Sequence, residues 1–475
     1  MDDQLIMTHF PHPKSWFVFL VALIAYVSLV LFFPPPPTMS ATNGDEPHYL
    51  IATHSLYIDH DLAMANNYEN QDYKFFYDEA RIEPHLYNFK GRLIPYHPML
   101  GMPLTLLLPY AIGGRTGVWL LLNLLVAGGL TWLYGALRAF VPERSALITV
   151  LFCGLTYPVV IYSAQIYPDT IGFVLVAFVL YWTIGPSTEG KVVQERVSAL
   201  IVGVALGLLP HFHFKFALLS LTLYAFFLWQ RRTRLASNLR WSLAPILLLA
   251  LAFVGWIYHI YGEFSRDVFV APSQGEYGSG RLDGMVGLFF DQEYGLFFFA
   301  PIYLLAIVGG WAFWRNPATR AHAFFLTLIY ASHHLLSGTF YDWDGGLSPV
   351  PRYLLPALPV LILFVGQGLA SLWRHRQWLQ PLGLALITLW ITRLILFDQR
   401  PLMFGFEIGS NAILREYYHW PRLINLLPSF KQPDLSGAYL RVGGLILIIC
   451  GLWLFAYLFH YIMLSLSNKI RKMLD

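Results

Sequence analysis

The sequence predicts an all-α polytopic membrane protein with about twelve transmembrane helices, within 11–13, and a large first extracytoplasmic loop carrying interfacial helices. Two observations carry that prediction. The 475 residues are 56% hydrophobic and 17% aromatic but only 12% charged, where an ordinary soluble domain has roughly 25%. Too few polar side chains exist to coat a soluble enzyme, and too many apolar ones for a disordered chain. Uncharged runs of roughly 20 residues also recur, the length a helix needs to cross about 30 Å of hydrocarbon. A net charge of +3 is too small to imply nucleic acid as a partner.

The apolar runs between charges place spans at about 15–33, 117–138, 145–163, 169–186, 198–212, 215–230, 241–261, 294–314, 320–338, 353–372, 378–397 and 440–465. The fifth and sixth are short and joined through Pro210-His211-Phe212-His213-Phe214-Lys215, so a broken hairpin that does not cross fully is an alternative. Met99 to Ile112, interrupted by Pro103 and Pro109, suits an interfacial or re-entrant segment. The first run is long for a cleaved signal and is read as a retained span. Cys153 and Cys450 lie inside apolar runs and are read as small core hydrophobes, with no disulfide framework expected. No soluble domain and no 20–50-residue repeat is expected.

Orientation follows from the basic residues. With the N-terminus cytoplasmic, the inner connections carry Arg138 and Arg144, Lys191 and Arg196, the Arg231–Arg240 cluster, Arg315 and Arg320, Arg374 and Arg376, and finally Lys469, Arg471 and Lys472. The opposite orientation would put the Arg231–Arg240 cluster outside, against the positive-inside rule. Both termini are therefore expected in the cytoplasm.

The polar chemistry then gathers in outer loops at about 34–116, 262–293, 339–352 and 398–440, and in two short turns. Aromatics and glycine dominate these loops, which favours an ordered site over a solvated linker. Asp45 and Glu46 stand near the start of the first loop, followed by Tyr49; His97 stands near its end. Neighbouring carboxylates on a helix point apart, so one at most is expected to aim at a reacting atom, and Glu46 before Pro47 suits a helix cap. Asp169 opens a span after Tyr167-Pro168. It is either a helix N-terminal charge favoured by the dipole or a functional carboxylate at the membrane boundary. Lys215, preceded by His211 and His213, and Arg352, after a Gly345-Gly346 turn, each precede a span. Cations there either snorkel to the interface or meet a lipid phosphate, and the planar fork of arginine suits phosphate. Arg281, between Gly280 and Asp283, is a weaker candidate, with a structural ion pair as the alternative.

Taken together, Asp45-Glu46 with Tyr49, Tyr167-Pro168-Asp169, the segment Asp291–Pro301, and Trp343-Asp344-Gly345-Gly346 followed by Pro351-Arg352-Tyr353 resemble the GT-C superfamily of polytopic glycosyltransferases. The resemblance is to the protein mannosyltransferase and aminoarabinose transferase-like branch, and it spans most of the chain. Two departures stand out: Tyr96-His97-Pro98 where many relatives carry Lys-Pro-Pro, and Val350-Pro351-Arg352 where many carry Gly-Pro-Arg.

The resemblance implies transfer of a monosaccharide from a polyprenyl-phosphate donor to a hydroxyl of a lipid, glycan or protein acceptor, with inversion, at the outer face of the cytoplasmic membrane. It makes Asp45 the base, with Glu46 and Asp169 orienting hydroxyls. Arg352, Lys215 and His211 are the expected phosphate ligands, with His213, His97, Tyr49, Tyr167 and Arg281 near the substrate. No cofactor is required by this reading, and a divalent metal is an open alternative. A transporter or flippase, or a non-catalytic membrane assembly, would explain the spans equally well. Transporters, however, concentrate polar residues at the midplane and repeat their halves, and neither pattern is evident here.

Overall fold

A computed structural model of the chain describes residues 13–33, 44–78, 81–185, 192–263, 282–340, 342–398, 405, 409–431 and 435–474. Helix dominates. After α1 (Pro13–Phe32), the first loop holds α2 (Glu46–Ile58), α3 (Ala65–Glu69) and a hairpin of β1 (Leu86–Phe89) with β2 (Arg92–Pro95), paired antiparallel with Phe89 opposite Arg92. The hairpin is anchored on a later helix. Arg92 Nη2 donates to the Ile260 carbonyl at 2.7 Å, Lys90 pairs with Glu263, and Trp256 Nε1 donates to the Pro98 carbonyl at 2.7 Å.

The next helix, α4 (Gly101–Leu137), has two arms, because Gly113 and Gly114 leave helical geometry and Gly114 takes φ +56°. The arm before the kink is the piece expected to be interfacial, and the arm after it is the second expected span. The chain continues through α5 (Glu143–Leu155), α6 (Val159–Tyr162), α7 (Pro168–Ile184), α8 (Val192–Phe212), α9 (Phe216–Gln230) and α10 (Leu235–Tyr261). Then come α11 (Asp283–Phe290), α12 (Leu296–Phe299), α13 (Leu305–Arg315), α14 (Arg320–Gly338), α15 (Leu358–Arg374), α16 (Leu379–Arg393), α17 (Pro421–Leu426) and α18 (Leu435–Leu474).

Seven helices among the described residues are long and apolar enough to cross a membrane: Lys14–Phe32, Gly101–Leu137, Val193–Phe212, Arg232–Tyr261, Arg352–Arg374, Leu379–Phe397 and Ser436–Leu458. Two shorter apolar helices, α7 and α9, accompany them. Two expected spans are not continuous helices. The run at 145–163 breaks between α5 and α6, and the run at 294–314 breaks between α12 and α13. Pro158 and Pro301 sit at those breaks, where a missing N–H ends the ladder. In the opposite sense, α8 is longer than expected, starting at Val192 and running through Pro210 to Phe212.

The interior is built around α15, with 89% of its apolar window buried, whereas α10 and α18 form the rim at 6% and 11%. The most extensive helix contacts join α13 to α15, α8 to α10 and α4 to α7. Gly309 permits the first of these: a Cβ there would stand 1.7 Å from the Phe364 carbonyl oxygen. Rim position also corrects one expectation. Cys153 is a buried core residue, but Cys450 lies on an exposed face of α18, and neither is paired.

Candidate active site

Four charged side chains from distant parts of the sequence meet where α2, α7 and α9 begin and where a 3-10 turn (Arg352–Ala357) leads into α15. Arg352 Nη1 lies 2.6 Å from Asp45 Oδ2, and Arg352 Nε donates to Asp169 Oδ2 at 3.0 Å. Lys215 Nζ is 2.7 Å from Asp169 Oδ1. Asp169, Lys215 and Arg352 are buried, while the Asp45 side chain keeps 15% exposure and so forms the open end of the row. Two carboxylates and two cations give this row no net formal charge.

Local sequence explains the placement. Gly44 adopts φ +78°, and a Cβ on it would come within 2.7 Å of the Leu347 carbonyl oxygen, so only glycine lets the first loop pass under the 342–350 segment. Asp45 then occupies the cap position of α2 with no side-chain cap bond, and Glu46 is the first helical residue. The expectation of Glu46 as the cap is therefore corrected. The Asp45 carboxylate is drawn to Arg352 rather than to the helix amides. On the other side, Gly345 and Gly346 take positive φ, and Asp344 Oδ1 accepts from the Gly346 amide at 3.0 Å. The hydroxyls of Tyr157 and Tyr162 donate to the carbonyls of Val350 and Pro349, fixing the strand of chain that delivers Arg352.

Aromatic rings line the row. The Arg352 guanidinium lies 4.2 Å from the Tyr167 ring centre, and Lys215 Nζ lies 4.0 Å from that of Tyr353. Tyr49 stacks on His97 at 5.3 Å, and its buried hydroxyl has no hydrogen-bond partner among the described residues. His97 Nε2 lies 3.2 Å from Asp45 Oδ1, and His85 Nδ1 lies 3.7 Å from the same oxygen. Burial pushes the Asp45 carboxyl up, but the charges of Arg352 and His97 outweigh it and hold the group well below the usual carboxylate range. Burial lowers the His85 imidazole to about 4, against the pull of Asp45.

Not every expected residue joins the row. His213 does, accepting from the Lys215 amide at 3.2 Å. His211 does not: its Nε2 is paired with the Leu249 carbonyl at 2.9 Å, because α8 continues past it and turns its ring toward α10. Glu46 is buried and fully engaged elsewhere. Its Oε1 accepts from Tyr77 at 3.0 Å and Arg115 at 3.1 Å, and its Oε2 from the Ile166 amide at 3.1 Å. The expected divergence of the two neighbouring carboxylates is what the structure contains. Arg281 lies outside the described residues. The segment from Asp291 contacts later loops rather than Asp45: Asp291 accepts from the amides of Glu293, Tyr294 and Phe430, and Glu293 from that of Gly409.

Three residues of this region were not singled out in the sequence: Arg115, Tyr77 and His85. Arg115 is held between the rings of Tyr77 and Trp119 at 4.4 and 4.5 Å.

This architecture is a GT-C-like polytopic membrane fold. No family model matches the chain, and no curated protein matches it. Among solved structures, the crystal structure of ArnT from Cupriavidus metallidurans bound to undecaprenyl phosphate is similar, with a TM-score of 0.51 at 17% identity. The similarity covers 79% of this chain and 64% of that one, so the chain spans less than two thirds of its length.

Proposed function

We propose that the protein is a membrane glycosyltransferase that moves a monosaccharide from a polyprenyl-phosphate donor to an acceptor hydroxyl. The observation that carries this reading is the partly open Asp45 carboxylate held against the buried Arg352–Asp169–Lys215 row in a GT-C-like fold. The likeness to a structure bound to undecaprenyl phosphate supports a lipid-linked donor. A donor of that kind can lie with its tail among apolar helices and its phosphate at their polar ends.

In this reading the acceptor oxygen attacks the anomeric carbon as the bond from that carbon to the phosphate oxygen breaks. Asp45 takes the hydroxyl proton, and the polyprenyl phosphate leaves with the bonding pair. Attack opposite the phosphate inverts the anomeric centre. A guanidinium has five N–H donors; the two directed at Asp45 and Asp169 leave others to meet the departing phosphate, where preorganised charge is most effective. Lys215 matches the charge of Asp169 and so holds Arg352 in register. Glu46 acts through Arg115 and Tyr77 to fix the start of α2.

The site is proposed to face the extracytoplasmic side of a bacterial inner membrane, with both termini in the cytoplasm. A mannosyltransferase-like role in making a cell-envelope glycan fits this placement, with a lipid, glycan or protein as acceptor. The test is transfer in detergent from synthetic short-chain polyprenyl-phosphate sugars. Asp45→Asn is expected to lower transfer by about 10²–10⁴-fold, the usual contribution of a positioned base, while donor binding persists. Turnover near the wild-type rate would remove Asp45 from the chemistry.

A further inference from the structure

The two helices that begin at Asp169 and Lys215 end beside a second polar feature. α7 has 17 residues, so its far end lies about 25 Å from the charged row. A small cleft opens there. Thr183 stands near the end of α7, Glu195 in the first turn of α8, Arg231 just after α9, and Arg234 and Asn238 at the start of α10. The cleft holds about 100 Å³, far below the roughly 300–1,000 Å³ of pockets that enclose a drug-sized ligand. A single small polyatomic group fits, and a nucleotide does not.

Its cations are fixed in place by the fold. Arg231 Nη2 donates to the Trp182 carbonyl at 3.1 Å, and Arg234 Nη1 lies 2.6 Å from Glu195 Oε2. Two guanidiniums against one carboxylate leave these three side chains with a positive formal charge. Asn238 Nδ2 donates to the Arg234 carbonyl at 3.0 Å, and Arg234, at the cap position of the 27-residue α10, makes no side-chain cap bond. The positive end of that helix therefore adds to the cleft. Thr183 is 1% exposed, and its Oγ1 has no hydrogen-bond partner among the described residues. A buried hydroxyl of this kind calls for a ligand atom. Arg232 lies 5.0 Å from the Trp229 ring centre and Arg196 lies 5.8 Å from that of Trp241. Tryptophans gather where lipid headgroups meet hydrocarbon.

We propose that this cleft binds one phosphate group, carried by an anionic phospholipid of the leaflet on that side. Guanidinium forks, helix amides and a hydroxyl are the donors that phosphate takes, and basic pockets between transmembrane helices hold lipid headgroups in this way. Leu239 and Trp241, exposed on α10, offer apolar surface to the acyl chains. This lipid is not the sugar donor: the charged row lies at the opposite ends of α7 and α9, so one headgroup does not reach both. The site stands apart from the transferase reading.

The test uses the full chain, delipidated in detergent and titrated with dioctanoyl phosphatidylglycerol, with native mass spectrometry as the readout. One retained lipid per chain is expected, and none from dioctanoylglycerol, which lacks the phosphate. Arg231→Gln and Thr183→Val should each weaken binding about tenfold or more, the usual weight of a hydrogen bond to a charged group. Arg374→Gln removes an exposed cation at the end of α15, on the same side but outside the cleft, and should change nothing. Arg231 also holds Trp182, so if its variant fails to fold, the nearly isosteric Thr183→Val carries the test. Unchanged binding by Thr183→Val, or an equal loss from Arg374→Gln, would overturn the site. Inorganic phosphate that binds with the same dependence on Arg231 and Thr183, while the lipid does not, would keep the phosphate site and overturn the lipid as its source.

Discussion

Gly44 tolerates little change beside the row. Its positive φ is strained for an L side chain, and the added methyl would meet the Leu347 carbonyl and the Tyr167 hydroxyl at once. Gly44→Ala is therefore expected to displace Asp45 from Arg352. Transfer should fall at least about tenfold with little change in melting temperature, because the strain is confined to a loop. An unaffected rate would mean the loop can shift without moving the carboxylate. The residues that mattered here were legible to different degrees. Asp45, Asp169, Lys215 and Arg352 stand out because charges are rare in so apolar a chain. His85 did not, because it sits in a stretch of ordinary polarity before the hairpin. The neighbours of His211 suggest a turn facing the row, but α8 keeps helical geometry there and turns the ring to the Leu249 carbonyl.

At the scale of elements, the Glu46–Arg115 pair joins the start of α2 to the second arm of α4. Both side chains are buried, at 0% and 8% exposure, so removing one leaves the other charge without a counterion. Arg115→Met is expected to cost about 3–5 kcal/mol, and Glu46→Gln combined with Arg115→Met should recover much of it. Thermal unfolding of the three proteins checks this, and a double variant no better than Arg115→Met would deny the pairing its weight. A sequence reading could not find the pair, because the partners are distant and the aim of Arg115 depends on the Gly113-Gly114 kink.

Asp291, which ties α11 to the chain near Phe430, gives an element-scale pH dependence. Burial raises its carboxyl to about 7 in spite of three backbone amides. A folded-state value above the unfolded one means the native chain holds the extra proton. This stabilisation is complete below about pH 4 and is lost as pH rises through 7. Stability followed from pH 4 to 8 should decline on this account, and Asp291→Asn should flatten that part of the profile. An unchanged profile in the variant would assign the dependence to other groups.

For the whole molecule, the alternation of helix ends separates Asp45, Asp169, Lys215 and Arg352 from the basic connections at Arg138, Arg231–Arg240, Arg315 and Arg374. By the positive-inside rule, the end with the basic connections is expected to face the cytoplasm. With Cys450 replaced, a cysteine at His60 should react with an impermeant thiol reagent in intact cells, and one at Arg234 only after permeabilisation. The reverse pattern would invert the topology. The general architecture was legible from composition and run length. The span boundaries were less so, since a hydropathy window does not separate a continuous helix from one interrupted at Pro158 or Pro301.

The order of the four charges along the chain has a consequence for biosynthesis. Both acids, at 45 and 169, leave the ribosome before either of their basic partners at 215 and 352. Lys215 can meet Asp169 once it emerges, but until Arg352 arrives Asp45 has no cationic partner from the row, and an unmatched carboxylate near the lipid boundary is costly. Nascent products that end before Arg352 are therefore expected to be more prone to capture by membrane quality-control proteases than products that end after it.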